Sequence, residues 1–482
     1  MRSTAGLLLW AGALFGTSCV NGLTEEVFAA IDKQDDGLRT VNNEVRKVLD
    51  SSTRPTKLTW IKIWENPELG YEEIHAHKTL TDFLEEQGFN VTRSAYNIST
   101  AFRAEYSSGE GRAVSFNSEF DALPGIGHAC GHNLIATIGV AAAIGVKEAL
   151  ENQGVSGKVV LIGTPAEESL GGKVKLLEAG AYDGLDCSLM AHPGNDNYAS
   201  FGRTLASWRA NVTWTGEASH AAAAPFMGRN ALDGFVSAYS STGLYRQQLM
   251  STDRIHHIIQ GNNELVANII PDSVDSVWGV RGKSRPRAEQ VREQLYRILY
   301  ASSNATNTSI EITPFQDYWD QNPSFSLASE FHKLLVEHMD PSADPETANF
   351  TVTAPEDESG EASASSDQGN VSWFLPAIQV GFPVGGTAPV HNAGFRELAG
   401  TRTTQTNLRL SSQDFAHEQA IKTAKVLALT GLQVLQNETF AEAMWDEWYD
   451  MIEEISVGLS EGSAGNNSTG NSTRKRHLSH VH

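Results

Sequence analysis

Residues 117–133 read N-S-E-F-D-A-L-P-G-I-G-H-A-C-G-H-N. The segment grows out of a strand-like stretch, Ala113 to Phe120, that ends on two carboxylates, Glu119 and Asp121. Pro124, Gly125 and Gly127 then turn the chain, and His128, Cys130 and His132 follow at alternate positions. Downstream, Leu134 to Leu150 is an apolar, alanine-rich helix, with Asn133 as its expected N-cap. Val159 to Ile162 is a continuous apolar run, the mark of a strand buried on both faces. Strand, helix and strand with apolar runs predict a parallel α/β layer. Loops at the carboxyl ends of parallel strands are where α/β enzymes build sites. Thiolate and imidazole both ligate a borderline-soft divalent ion. A turn with satisfied polar side chains is the alternative for this segment taken alone.

Three more segments repeat that setting. G-T-P-A-E-E-S-L-G-G-K at 163–173 follows the Val159–Ile162 run. Its adjacent carboxylates, Glu167 and Glu168, raise each other's pKa unless a cation intervenes. A helix-capping pair accounts for them equally well in isolation. S-L-M-A-H-P-G at 188–194 ends an apolar run on His192, and P-V-H-N-A-G-F at 389–395 carries His391 just past Ile378–Gly381. A lone histidine is usually structural. Here Cys130, His132, Glu168, His192 and His391 share one topological setting, which a chance assortment would not.

Between these segments the pattern changes. Near Ala206 the apolar residues Trp208, Ala210, Val212 and Trp214 alternate with polar ones, the period of a half-exposed strand. A helix follows on Leu232, Phe235, Val236 and Tyr239, then a strand over Val274–Val280, a helix opened by Pro286, and a short strand around Ile310 and Ile312. The stretch reads as an antiparallel sheet with two helices, inserted into the α/β domain. A chain of 482 residues is too long for one core. The expected division is a leader at 1–22, a catalytic domain in two parts at 23–205 and 317–456, an inserted lid or dimerisation domain at 206–316, and a tail at 457–482. A helix is expected over Glu25–Asp50 and another over Lys78–Glu86. Composition predicts two segments without fixed structure, Pro341–Ser366 and Glu461–His482, the second holding the basic triplet Arg474–Arg476.

The N-terminus has the form of a signal peptide: Arg2, then a short apolar core from Gly6 to Phe15, then small residues through Gly22. N-x-S/T sequences at Asn90, Asn97, Asn211, Asn304, Asn307, Asn349, Asn370, Asn437, Asn466, Asn467 and Asn471 agree with a secreted, extracellular glycoprotein. The net charge of -22 disfavours nucleic acid and anionic membrane surfaces as partners. Three cysteines occur, and Cys19 falls in the leader. A Cys130–Cys187 disulfide is the ordinary expectation for an exported chain. It is set aside because a metal site needs Cys130 as a thiolate, which leaves Cys187 as a small buried residue.

These motifs together resemble the metallopeptidase family of aminoacylases, carboxypeptidase G and related dipeptidases (peptidase family M-twenty). The resemblance spans nearly the whole chain after the leader. It includes G-E-A-S-H-A-A-A-A-P at 216–225 in the insertion. D-A-L-P ahead of H-A-C-G-H is similar to the amidohydrolase branch. C-G-H-N with G-T-P-A-E-E is similar to its dipeptidase and aminobenzoyl-glutamate hydrolase subgroup. The implied fold is a mostly parallel α/β catalytic domain with an inserted α+β (ferredoxin-like) domain. By matching positions, Cys130 would bridge two divalent ions, and His132, Glu168, His192 and His391 would complete the ligands. Glu167 would be the general base and acid, and Asp121 would orient a ligand. His220, on the insertion, would reach the scissile carbonyl, across a dimer interface in a homodimer. Asn268 and Arg281 would hold the substrate, a dipeptide or an N-acyl amino acid. Zinc is the expected metal and manganese the alternative, with one or two ions in each copy of the chain. His128 is expected to support the loop by hydrogen bonding, and His75, His77, His256, His257, His332, His338 and His417 to be surface or structural. Two other readings compete with this one. A non-catalytic metal-binding or carrier protein on this fold would not need both Glu167 and Glu168. An acidic glycosylated structural protein leaves the ligand set unexplained.

Overall fold

The computed structural model describes residues 24–33, 63–194, 197–260, 266–338, 351–358, 362, 364–400 and 415–463. The leader, most of the Glu25–Asp50 helix and the Arg474–Arg476 triplet lie outside these residues.

Fourteen strands assemble among the described residues. Those that position the site are β3 (Ala113–Ser118), β4 (Lys158–Gly163), β5 (Cys187–Gly194) and β14 (Ala377–Pro383). They lie in the middle of an eight-stranded sheet ordered β1-β2-β4-β3-β5-β14-β6-β13, where β1 is Asn90–Arg93, β2 Phe102–Ser107, β6 Tyr198–Ala199 and β13 Val352–Thr353. The four central strands run parallel to their neighbours in that group, while β2 pairs antiparallel with β1 and β4. From β3 the chain steps one way to β4 and later returns on the other side to β5. The strand order therefore reverses at β3, and open α/β sheets leave a crevice at such a point.

The reason for the parallel core is visible in its residues. β3 is buried along its whole length, and Val159–Ile162 in β4 are all inaccessible, so both faces must be covered. The helices His132–Asn152 and Phe415–Gln436 cover one face and pack on each other. The first is long and apolar enough to cross a membrane by composition, but it is buried within the protein core. It begins one residue earlier than the sequence predicts. Gly131, at φ +84, takes the N-cap position, and Asn133 is buried inside the helix, its amide donating to the Ala399 carbonyl at 3.0 Å. A side chain at 131 would meet Pro193 at 2.6 Å, so only glycine fits.

The insertion is a separate four-stranded antiparallel sheet, ordered β12-β7-β11-β9, with β7 at Ala206–Thr215, β9 at Arg254–Gln260, β11 at Ser273–Gly282 and β12 at Ser309–Tyr318. Helices Ala231–Tyr245 and Arg285–Ala305 pack on one face. The last strand is ten residues long where the sequence suggests a short one, because its outer half is polar and hides the alternation. Trp208 and Trp214 both sit in this core, so neither is a surface contact. A two-stranded ribbon, β8 (Ser219–His220) with β10 (Ile269–Ile270), projects beside it.

Composition misjudges one segment. Val352–Thr353 pairs with β6 inside the stretch expected to lack structure. One glycosylation signal is also excluded: Asn370 is buried, accepting from the Trp319 amide and donating to the Asp317 carbonyl. Both described cysteines are free thiols and buried, so no Cys130–Cys187 bridge forms.

Candidate metal centre and active site

The carboxyl edges of β3, β4, β5 and β14 bring the motif residues together. Beyond β3, Asp121 holds His132 from behind. Its carbonyl lies 2.8 Å and its Oδ1 3.1 Å from His132 Nδ1, so Nε2 is the nitrogen left to act. Asp121 Oδ2 also accepts the Glu168 N–H at 3.0 Å, linking the two loops. Burial alone would raise the Asp121 carboxyl. His132 and the donated hydrogen bonds outweigh it and hold Asp121 below its ordinary value.

Beyond β4 the chain makes an elbow at Ala166, which takes a left-handed conformation, φ +61 and ψ +38. A non-glycine residue there is unusual, and the surroundings must hold it. Glu73 Oε1 accepts the Ala166 N–H at 2.9 Å, and its Oε2 accepts the Thr100 hydroxyl at 2.7 Å. The elbow turns Glu167 and Glu168 into the crevice. His391 likewise sits at φ +65, with its N–H donated to the Ala129 carbonyl at 2.9 Å. Two of the chain's few strained residues thus flank the same site.

The ligand atoms converge. Cys130 Sγ is 3.3 Å from His192 Nε2, and His391 Nε2 is 3.5 Å from Glu168 Oε1. Cys130, His132 and His192 form one group with ligand atoms within 4.8 Å of one another, and Cys130, Glu168 and His391 form another. Cys130 belongs to both, so its sulfur is the atom able to bridge two ions. Glu119 Oε2, His132 Nε2 and Glu168 Oε1 are buried without a hydrogen-bond partner. His132 Nε2 lies 3.4 Å from the first and 3.8 Å from the second of these oxygens. Buried polar atoms are ordinarily satisfied. A cluster of acceptors, a thiol and imidazoles left unsatisfied at one point fits divalent ions in donor type and number.

Sequence reading does not foresee what lies beneath. Lys173 is fully buried, its Nζ 2.5 Å from Glu119 Oε1 and 2.6 Å from Asp367 Oδ1. Its own N–H donates to Asp367 Oδ2 at 2.8 Å. Burial works against the ammonium, but Asp367 and Glu119 outweigh it and hold it charged. Glu167, beside this group, has its carboxyl pushed well up by burial and then by Glu119, Asp367 and Glu168. Its backbone carbonyl accepts the Tyr318 hydroxyl at 2.5 Å. Lys173 closes the 163–173 motif, so a buried counter-ion is the available signal there; Glu73 offers none.

The chain is matched over residues 112–410 by the description of peptidase family M20/M25/M40. It is 36% identical to the human Xaa-Arg dipeptidase, with 81% of this chain and 88% of that one covered. The chain belongs to the M20 peptidase family.

Another relative of this M20 metallopeptidase is one of the two chains that make up the p-aminobenzoyl-glutamate hydrolase of Escherichia coli, 27% identical over 66% of this chain and 78% of that one. Among solved structures, a putative aminohydrolase from methicillin-resistant Staphylococcus aureus superposes with a TM-score of 0.63 at 17% identity, covering 86% of this chain and all of that one. A Bacillus subtilis protein described as a dinuclear metal-binding peptidase of the M20 family gives 0.55 at 16% identity, covering 86% and 99%. These establish the fold.

The remaining sequence-assigned residues lie on the insertion of this M20 peptidase. His220 is exposed, its Nδ1 accepting the Ala222 and Ala223 amides at 3.2 and 3.1 Å, which leaves Nε2 open. Asn268 stands next to it, its carbonyl accepting the Ala221 N–H at 2.9 Å across the β8–β10 ribbon. Arg281 is elsewhere, near the end of β11, and donates to Ser365 Oγ at 2.7 Å, tying the lid sheet to the catalytic domain. His128 is buried, with Nε2 3.1 Å from the Ile63 carbonyl, and burial lowers its pKa to about 3, so it stays neutral and supports the loop. Of the other histidines, His257 stacks on Tyr239 at 4.6 Å within the insertion.

Proposed function

We propose that this M20 metallopeptidase hydrolyses the amide bond of dipeptides or N-acyl amino acids, with Glu167 as general base and acid. The observation that carries the reading is the pairing of two adjacent carboxylates with different surroundings. Glu168 faces His391 and His132 through an oxygen with no hydrogen-bond partner, the posture of a ligand. Glu167 is held 3.8 Å from His132 Nε2, in an environment that raises its affinity for a proton.

Divalent ions held by Cys130, His132, Glu168, His192 and His391 would polarise the amide carbonyl and acidify the attacking water. Glu167 takes the proton from that water and returns it to the leaving amine nitrogen. Asp121 keeps the His132 ring oriented and its Nδ1 engaged. The open His220 Nε2 would donate to the developing oxyanion once the insertion carries it to the scissile bond. Asn268, beside it, and Arg281 would hold the substrate's polar ends. The dipeptidase and aminobenzoyl-glutamate relatives support amide substrates of this size. Zinc suits the Cys/His/Glu donors, with manganese as the alternative. The reading extends to a secreted homodimer joined through the insertion.

Glu167→Gln tests the assignment. The variant keeps volume and metal ligands but cannot accept the proton. The expected result is retained metal content and a fall in kcat of roughly 10²–10⁴-fold. Full activity in that variant would sink the mechanism.

A further inference from the structure

A second cavity lies away from the metal centre, where the insertion joins the catalytic domain. Its volume is about 920 Å³. The chain enters the insertion through Thr204 and Leu205 and leaves it through Asp320, Gln321 and Asn322, and all five residues line this cavity. The two crossings are tied together there: the Gln321 N–H donates to Thr204 Oγ1 at 3.0 Å. Thr252, Lys283 and Ser284 of the insertion complete the wall opposite Arg203 and Glu358.

The cavity's chemistry is specific. Gln321 is 3% exposed, yet neither its amide oxygen nor its nitrogen has a hydrogen-bond partner, and Asn322 Nδ2 is also unpartnered. Buried amides left open on both sides are rare and point to something that completes them. Lys283 and Arg203 contribute cationic ends with no ion pair among the described residues, the Arg203 guanidinium lying 5.0 Å over the Phe201 ring. Glu358 accepts the Ser200 and Phe201 amides through Oε1, so Oε2 remains. Asp320 accepts the Arg285 N–H at 2.6 Å through Oδ1, leaving Oδ2. Phe201 and Phe325, edge to face at 6.0 Å, form the apolar wall. Cations, carboxylate oxygens, an open amide and an aromatic wall in one cavity match both ends and the side chain of a zwitterion.

We propose that this hinge cavity binds a free apolar α-amino acid, its carboxylate at Arg203 and Lys283 and its ammonium at Glu358 and Asp320. The ligand bridges residues of both domains, so it favours one setting of the insertion over others and changes turnover without entering the metal site. Dipeptide cleavage releases this class of molecule. The inference rests on the proposed amide reaction for that source of ligand, and not for the cavity itself.

The test is calorimetry on the full metal-loaded chain, titrated with L-phenylalanine, with phenylacetate and phenethylamine as probes carrying one charge each. Wild type should bind L-phenylalanine at a site that neither single-charge probe fills. Arg203→Ala/Lys283→Ala should weaken that site about tenfold or more, the cost of two charge-assisted contacts. Gln321→Leu should weaken it with the surface charges intact. Metal content and melting temperature of each variant verify folding. Unaltered binding in both variants would place the ligand at the metal centre and overturn the proposal. So would equal binding of the single-charge probes, or no binding while dipeptide hydrolysis proceeds. Binding as expected without hydrolysis of any amide would uphold the cavity and remove the proposed reaction.

Discussion

At the residue scale, the site is built from side chains whose partners lie far along the chain. Cys130, His132, Glu168, His192 and His391 are legible because each follows an apolar strand in a recognisable motif. Glu73 and Asp367 are not, since nothing local marks a carboxylate destined for Ala166 or for Lys173. Glu73 illustrates the consequence. Burial, then Asp121, raises its carboxyl to about 7. Between its ordinary value of 4.5 and that value, the folded chain keeps a proton the unfolded chain has lost. Its contribution to stability is therefore full below the lower value and is lost as pH rises through the higher one. Glu73→Gln keeps acceptance from Ala166 and should flatten the melting temperature between pH 5 and 8, by roughly 1–3 kcal/mol of pH-dependent stability. A pH series of thermal melts that matches wild type would remove Glu73 from this role. Lys173→Met makes a different prediction. It leaves Glu119 and Asp367 buried without their counter-ion, and should cost about 3–5 kcal/mol in urea unfolding. A loss below about 1 kcal/mol would mean that both carboxylates are protonated in the native state.

At the element scale, the central strands are readable from their apolar runs and the insertion's first strand from its alternation. The pairing of Val352–Thr353 is hidden inside an acidic, small-residue segment. The start of the His132–Asn152 helix is misplaced by the sequence pattern because a left-handed glycine at its head excludes the expected cap. The elbow after β4 depends on one small residue. A Cβ on Gly172 would lie 1.6 Å from the Pro165 carbonyl oxygen, which is backbone and cannot step aside. Gly172→Ala should therefore displace the turn that carries Glu167 and Glu168, at a cost of about 1–3 kcal/mol. The expected signature is a loss of metal affinity, measured by equilibrium dialysis, larger than the fall in melting temperature would suggest. Normal metal binding in that variant would show that the elbow does not position Glu168.

At the scale of the whole molecule, two cores divide the work. The parallel sheet holds the metal ligands rigidly, and the insertion carries His220 and Asn268 on a ribbon of its own. Arg281 with Ser365 and Gln321 with Thr204 tether the two parts near their junction. The central claim is that ligands from four strand ends and a base from one of them form a single hydrolytic centre. Its most direct test is release of free amino acid from a panel of dipeptides and N-acyl amino acids by the purified, metal-loaded protein, with and without chelator. The account predicts turnover that chelator abolishes and added metal restores. Hydrolysis unaffected by complete metal removal, or none across the panel with two ions bound, would contradict it.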